Sequence, residues 1–194
     1  MSKIWYCSDL HFHHRNICKY TNRHLFTTQE SHDEWLIDLW NSQVSKSDRV
    51  IHLGDFSFSC NGMEIQQLLQ QLNGVKHFIK GNHDDRQVLD TLKKNNSISW
   101  WGDYKETKIG GVAACLFHFK IENWHKQHHG SMHLFGHSHG QAKDTGGKCL
   151  DVGLDSAYNI FGEHKFFSEE DVLEYMQGRN VVVNDHHTKC TGEM

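Results

Sequence analysis

Residues that can bind a cation recur at the ends of five short apolar runs in this 194-residue chain. "KIWYCSD" leads to Asp9 and His11, and "RVIHLGD" ends on Asp55. "HFIKGNHDD" delivers Asn82, His83 and Asp84 on one turn. "CLFHF" carries His118, and "MHLFGHSHG" closes on His137 and His139 between two glycines. One such end is ordinary turn chemistry, since Gly, Asn and Asp favour turns anyway. Five ends, all rich in Asp, Asn and His, point to a shared site. Imidazole with carboxylate and amide oxygens suits Mn, Fe, Zn or Ni. D-x-H and H-x-H pairs can aim two ligands at one point from an extended loop, and the flanking glycines let backbone come close. A carboxylate such as Asp55 can bridge two cations. Such a pair, roughly 3.5–4 Å apart, lowers the pKa of a bridging water and clamps the oxygens of an in-line displacement.

The elements that must position these residues follow from hydrophobic periodicity. Strands are expected at 3–9, 48–55 and 75–84. Between and after them, helices are expected at 31–44, 62–74 and 85–95, the first opened by a Ser31–Glu34 capping box and carrying an apolar face of Trp35, Leu36, Leu39 and Trp40. That alternation implies a parallel sheet covered by helices. The second half changes character. A hairpin over 104–119 turns at Gly110-Gly111, strands follow at 131–140 and 148–155, and a helix closes at 168–178 behind Ser168 and Asp171. In open α/β sheets ligands bind beyond the carboxyl ends of strands, which is where the five clusters fall. The expected fold is an α/β/β/α sandwich of two mixed β-sheets flanked by helices, with a dinuclear metal site at the strand C-terminal ends. Residues 1–179 would form one domain and 180–194 a loose tail.

Composition narrows the function classes. Formal net charge is −4 with histidine neutral, which gives no general attraction to nucleic acid or anionic membranes. No apolar run approaches the roughly 20 residues of a membrane span, and no signal peptide is visible, so a cytoplasmic location is expected. The 6 cysteines contain no C-x-x-C, which favours reduced thiols over a disulfide frame or a thiolate zinc site. Histidine occurs 18 times against 20 Lys and Arg together, so imidazole chemistry is available well beyond any one site.

Taken in order, "DLH" (9–11), "GD" (54–55), "GNHD" (81–84), the lone His of "LFHF" (118) and "GHSH" (136–139) resemble the motif series of the calcineurin-like metallophosphoesterase superfamily. The resemblance covers roughly residues 3–175. "HFHHRNI" and "HHGSMHLFGHSHG" look further like a subgroup of small, stand-alone bacterial and phage phosphoesterases. The resemblance implies that Asp9, His11 and His139 hold one metal, that Asn82, His118 and His137 hold the other, and that Asp55 bridges both. It implies that His83, unligated, protonates or stabilises the leaving group, and that Asp84 orients His83. It places His14 and Asn16 near the metals, and these two and His129, which precedes the H-x-H strand, are candidates for substrate binding or for turn roles. The family often has proline two residues after the His at position 118, where this chain has Lys120.

The expected activity is hydrolysis of a nucleotide-type phosphodiester by in-line attack of a metal-bridging hydroxide, with two divalent ions, Mn²⁺ favoured and Fe, Zn or Ni able to serve. Phosphomonoesterase or DNA/RNA nuclease activity remains open, as does a non-catalytic scaffold of the same fold. Arg15 and Arg86 are candidate phosphate forks, and Trp100, Trp101 and Trp124 are candidate stacking residues or ordinary packing.

Overall fold

The computed structural model describes residues 2–182, apart from 22, 24, 25 and 60. The expected tail therefore lies almost wholly outside the described residues, as do His24, His186, His187, Cys60 and Cys190. The chain runs β1 (Ile4–Cys7), α1 (Ile17–Tyr20), α2 (Gln29–Gln43), β2 (Arg49–His52), α3 (Gly62–Gln71), β3 (Val75–Ile79), α4 (Arg86–Lys94) and β4 (Trp100–Gly102). It continues through β5 (Tyr104–Ile109), β6 (Val112–Phe117), a 3₁₀ turn (Gln127–His129), β7 (Met132–Phe135), β8 (Cys149–Asp151), α5 (Leu154–Phe161), β9 (Phe167–Ser168) and α6 (Glu169–Gln177).

Two mixed sheets result. The first has the order β4-β3-β2-β1-β9, parallel except for β9, which runs antiparallel to β1 with Tyr6 opposite Phe167. The second has the order β5-β6-β7-β8, with an antiparallel hairpin and then parallel pairing. Alternation along the strands sorts the layers. Trp5, Cys7, Val50 and Phe78 face α2, α3 and α4, where Leu36, Trp40, Ile65, Leu69 and Leu89 complete one core. Tyr6, Ile51, Leu53 and Ile79 face the other way and meet Leu116, Leu134 and Leu150 of the second sheet. Ala157 of α5 and Val172 and Met176 of α6 join this inner layer. Trp124 packs with Cys115, Phe135 and Cys149 in a third cluster, which assigns it to packing. Fully burying a side chain of this kind is worth about 1.5–3 kcal/mol. Trp40 also gives its indole N–H to Asn73 O at 2.9 Å, so its polar edge is not left unpaired.

Several boundaries differ from the sequence expectation. Helix α2 begins two residues early because Thr28, not Ser31, is its N-cap and accepts from Ser31 N, so the Ser31–Glu34 capping box does not form. The closing helix does carry a capping box, between Ser168 and Asp171. The hairpin turns at Gly110-Gly111 with φ of 55° and 83°, the two left-handed positions that favour glycine in a tight hairpin turn. The strand expected at 148–155 stops at Asp151, and Leu154 and Asp155 open α5 instead. Among the described residues no helix is long and apolar enough to cross a membrane. Cys7, Cys18, Cys115 and Cys149 are free thiols.

Candidate metal centre

All five polar clusters sit just past the carboxyl ends of β1, β2, β3, β6 and β7. The loops that carry them are bound to one another. Asp9 N donates to Gly54 O at 3.0 Å, and His11 N donates to Asp55 O at 3.1 Å. His137 N donates to both carboxylate oxygens of Asp9, at 2.9 and 3.1 Å. The turn glycines are required for this closeness: a Cβ on Gly81 would fall inside the Asp55 carboxylate.

Two groups of ligand atoms result, Asp9–His11–His139 and Asp55–His118–His137, each with its atoms within 4.8 Å of one another. Asp55 links them, because its Oδ2 lies 3.8 Å from His11 Nε2 and 3.4 Å from His118 Nε2. Asn82 joins the second group, with Oδ1 3.0 Å from His118 Nε2.

The donor set fits cations. His118 Nδ1–H donates to Leu53 O at 2.8 Å, so in the neutral ring Nε2 turns a lone pair towards the Asn82 and Asp55 oxygens. Three acceptors then converge with no donor between them, an arrangement that a cation relieves. Both ring nitrogens of His11 are buried with no hydrogen-bond partner, a costly arrangement unless an ion takes one of them. The second layer is built as metal sites require. His139 Nδ1–H donates to Asp155 Oδ2 at 2.7 Å, which aims Nε2 at the first group. Buried Arg23 grips Asp155 through Nε at 3.2 Å and Nη2 at 2.9 Å, and it donates to the carbonyls of Asp9 and Leu10 at 2.7 and 2.8 Å.

Electrostatics reflect the crowding. Burial, then the charge of Asp151, raises Asp9 to about 7. Burial depresses His11 to about 2. For Asp55 burial acts upward, but the hydrogen bond and charge of His118 outweigh it and hold its carboxyl below the usual range. Burial acts downward on His118 and His139, yet Asp55 and Asp155 respectively raise both. Asp155 is held at about 2, where the charge of Arg23 and the bond from His139 outweigh burial.

The remaining expected residues fall as follows. His83 is exposed at the rim, its Nε2 4.0 Å from Asp55 Oδ2 and its backbone N–H on Asp55 Oδ1 at 2.9 Å. Asp84 does not orient the His83 ring. Its carboxylate is taken up by the backbone N–H groups of Gly81, Asp55 and Phe56 at 2.8, 2.9 and 3.1 Å, so it staples the Asp55 loop to the His83 loop. Asp85 is the cap of α4. His14 stands edge-on to His11, with ring centroids 5.6 Å apart. Asn16 precedes α1 and lines a groove with Arg15 and Lys19. His129 is exposed on the 3₁₀ turn before β7, at the opposite end of that strand from His137, which removes it from the centre. Arg86 is paired with Asp103 at 2.6 Å and lies over Trp101. Lys120 donates to Lys143 O at 2.5 Å. Arg23 and Asp155 belong to the site although neither was expected there. Asp155 had a legible signal as an acidic first-turn residue of "LDSAYNIF", but only once that stretch is read as a helix.

Comparison with known proteins agrees with the fold. No family model matches the chain. A protein of unknown function from Aquifex aeolicus superposes with a TM-score of 0.66 at 20% identity, covering 90% of this chain and 100% of that one. An archaeal phosphodiesterase overlaps at 18% identity with a TM-score of 0.48, covering 86% of this chain and 98% of that one, too loosely to carry an argument. An uncharacterized protein of Methanocaldococcus jannaschii is 46% identical over 85 residues, 43% of this chain, and the match spans about half of that relative, 48% of its length. The gene 66 protein of Mycobacterium phage L5 is 38% identical over 184 residues, covering 80% of this chain and 88% of that protein. At that identity and coverage, this chain belongs to the family of the mycobacteriophage gene 66 proteins.

Proposed function

We propose that this protein is a dinuclear metal-dependent phosphoesterase of the calcineurin-like type that hydrolyses phosphodiesters of nucleotide type. The observation that carries the proposal is the Asp55 carboxylate, whose Oδ2 reaches one imidazole of each three-residue group at 3.8 and 3.4 Å. A carboxylate shared between two N/O donor sets, with no thiolate, is the arrangement two hard or borderline divalent ions need.

In this reading Asp9, His11 and His139 would hold one ion, Asn82, His118 and His137 would hold the other, and Asp55 would serve both. When bound, the pair supplies positive charge to the phosphoryl oxygens and an acidified water, with Mn²⁺ the first candidate and Fe, Zn or Ni able to serve. His83 acts on the leaving side: its imidazole projects from the rim beside Asp55 and delivers a proton to the departing oxygen. Asp84 fixes the two loops that set the Asp55–His83 separation.

The test is hydrolysis of bis(p-nitrophenyl) phosphate beside p-nitrophenyl phosphate by metal-stripped protein refilled with Mn²⁺. Mn²⁺-dependent turnover of the diester is expected. Turnover of the monoester alone makes the protein a phosphatase, and inactivity on both esters with two ions bound overturns the proposal.

A further inference from the structure

Eleven large hydrophobic side chains are exposed among the described residues, and scattered ones need no explanation. Two of them stand apart by position. Phe58, 45% exposed, lies with its ring centroid 4.2 Å from His14 and 4.8 Å from His83. Phe119, 38% exposed, lies 4.9 Å from His118 and 4.6 Å from His137. Neither is among the buried or half-buried side chains of the three hydrophobic cores, and Phe119 also has the half-buried Phe117 ring at 5.7 Å. None of the four ring pairs is parallel, the interplanar angles running from 41° to 79°. The two rings also flank different halves of the centre. Phe58 stands beside His14 and His83, both of which pack edge-on to His11. Phe119 stands beside two members of the other group.

We infer that Phe58 and Phe119 are stacking platforms for two nucleobases, one on each side of the metal centre, so that the substrate is an internal phosphodiester of a short single-stranded oligonucleotide. The inference rests on the phosphoesterase reading and adds the flanking groups of its substrate. A phosphate held between the two groups directs one ester arm past His83 to Phe58 and the other past His137 to Phe119. The first arm is the leaving nucleoside and the second keeps the phosphate. Apolar rings beside a polar centre gain little from the fold itself, whereas base stacking on an aromatic side chain is strong and tolerant of sequence. The formal charge of −4 argues for a short strand, because long nucleic acid is held mainly through many phosphate contacts to Lys and Arg.

The test compares each variant with wild type on matched esters, using Mn²⁺-loaded full-length protein. Phe119→Ala should cut kcat/KM on p-nitrophenyl thymidine 5′-phosphate by about 5- to 150-fold more than on p-nitrophenyl methyl phosphate, since only the first has a base on the retained arm. Phe58→Ala should show the same bias for thymidylyl-thymidine over thymidine 5′-methyl phosphate, whose leaving arm is only methanol. Phe119→Trp and Phe58→Tyr should restore the preference. In a binding arm, Phe119→Ala should weaken thymidine 5′-phosphate more than inorganic phosphate, measured by calorimetry. Equal losses on both members of each ester pair, with two metal ions still bound, would overturn the platforms and leave the phosphoesterase reading standing. If wild type hydrolyses none of the esters the phosphoesterase reading falls, and the binding arm alone decides the platforms. There, no preference of wild type for thymidine 5′-phosphate over inorganic phosphate refutes them.

Discussion

Asp155 is the most informative residue to change, because its carboxylate stands between a buried cation and a candidate metal ligand. It is 2% exposed and accepts three hydrogen bonds, two from Arg23 and one from His139. Asp155→Asn keeps the shape, removes the charge and replaces one acceptor oxygen with an NH₂ group. That group faces either Arg23 Nε alone or Arg23 Nη2 and His139 Nδ1–H together, so at least one donor loses its partner. Arg23, 1% exposed, then keeps one bond to the remaining amide oxygen and those to the carbonyls of Asp9 and Leu10, but loses its anionic partner. Breaking one side of a buried ion pair costs about 3–5 kcal/mol. Losing the outer partner of a ligating histidine typically costs about 10- to 100-fold in metal affinity. Urea unfolding of the metal-stripped protein should therefore show a loss of about 3–5 kcal/mol. Mn²⁺ titration followed by electron paramagnetic resonance should show one of two sites weakened by about 10- to 100-fold. Stability within about 1 kcal/mol of wild type, or two Mn²⁺ sites of unchanged affinity, refutes the Arg23–Asp155–His139 relay as the support of that site.

His83→Ala should lower kcat by about 10²–10⁴-fold while metal content stays at two ions per chain, and full turnover in that variant removes the rim imidazole from proton transfer. Asp55→Asn should reduce metal binding at both sites together, and elemental analysis showing one site intact would exclude a shared ligand. Acid should destabilise the metal-stripped fold well above the carboxylate range, because burial lowers His52 to about 3 and His133 to about 4. His133 Nδ1–H donates to Cys115 O while Nε2 accepts from Ile121 N–H, so protonation sets two donors face to face. The unfolded chain takes up these protons near pH 6.5 and the folded chain does not, so this stability is complete above pH 6.5 and is lost as pH falls towards 4 and below. At pH 5 the loss is about 2 kcal/mol per histidine relative to pH 8. Urea midpoints that stay flat between pH 7 and pH 4.5 would falsify the linkage.

The ligands were legible in the sequence because each combines a donor side chain with a strand end, and strand ends follow from short apolar runs closed by Gly or Asp. The supporting residues were not. Arg23 and Asp155 are 132 positions apart, and only the packing of α5 beside the Asp9 loop brings them together. "KCLDVGLD" alternates like a strand to its end, yet Asp151 turns the chain by accepting from Gly153 N, which frees Leu154 and Asp155 to start a helix. The role of Asp84 as orienter of His83 is what the family resemblance implies, whereas three backbone N–H groups from two loops take up its carboxylate. Phe58 and Phe119 each alternate with another phenylalanine two residues earlier, Phe56 and Phe117, a pattern that suggests a strand face and gives no sign of a place beside the metal centre.

The backbone at the ligands argues that the site is shaped by the fold before any ion arrives. Asp9, His11, Asp55, His137 and His139 all have φ between 48° and 68°, a region that non-glycine residues enter at a cost of roughly 1–3 kcal/mol each. Five such residues in three loops would relax if the loops were independent. They are not, since Asp9 N is held by the Gly54 carbonyl, His11 N by the Asp55 carbonyl, Asp55 N by Asp84 and His137 N by Asp9. Four of the five are thus pinned by the loop of another ligand, and the loops are pinned by β1, β2, β3 and β7, whose side chains fill the two large cores. Packing of the sandwich therefore offsets the strain, and the convergent carboxylates and lone pairs become a standing demand for positive charge. The αL conformation turns successive side chains away from the alternating strand directions. That turning is what lets Asp9 and His11, two residues apart, converge on one point at the mouth of the sheet.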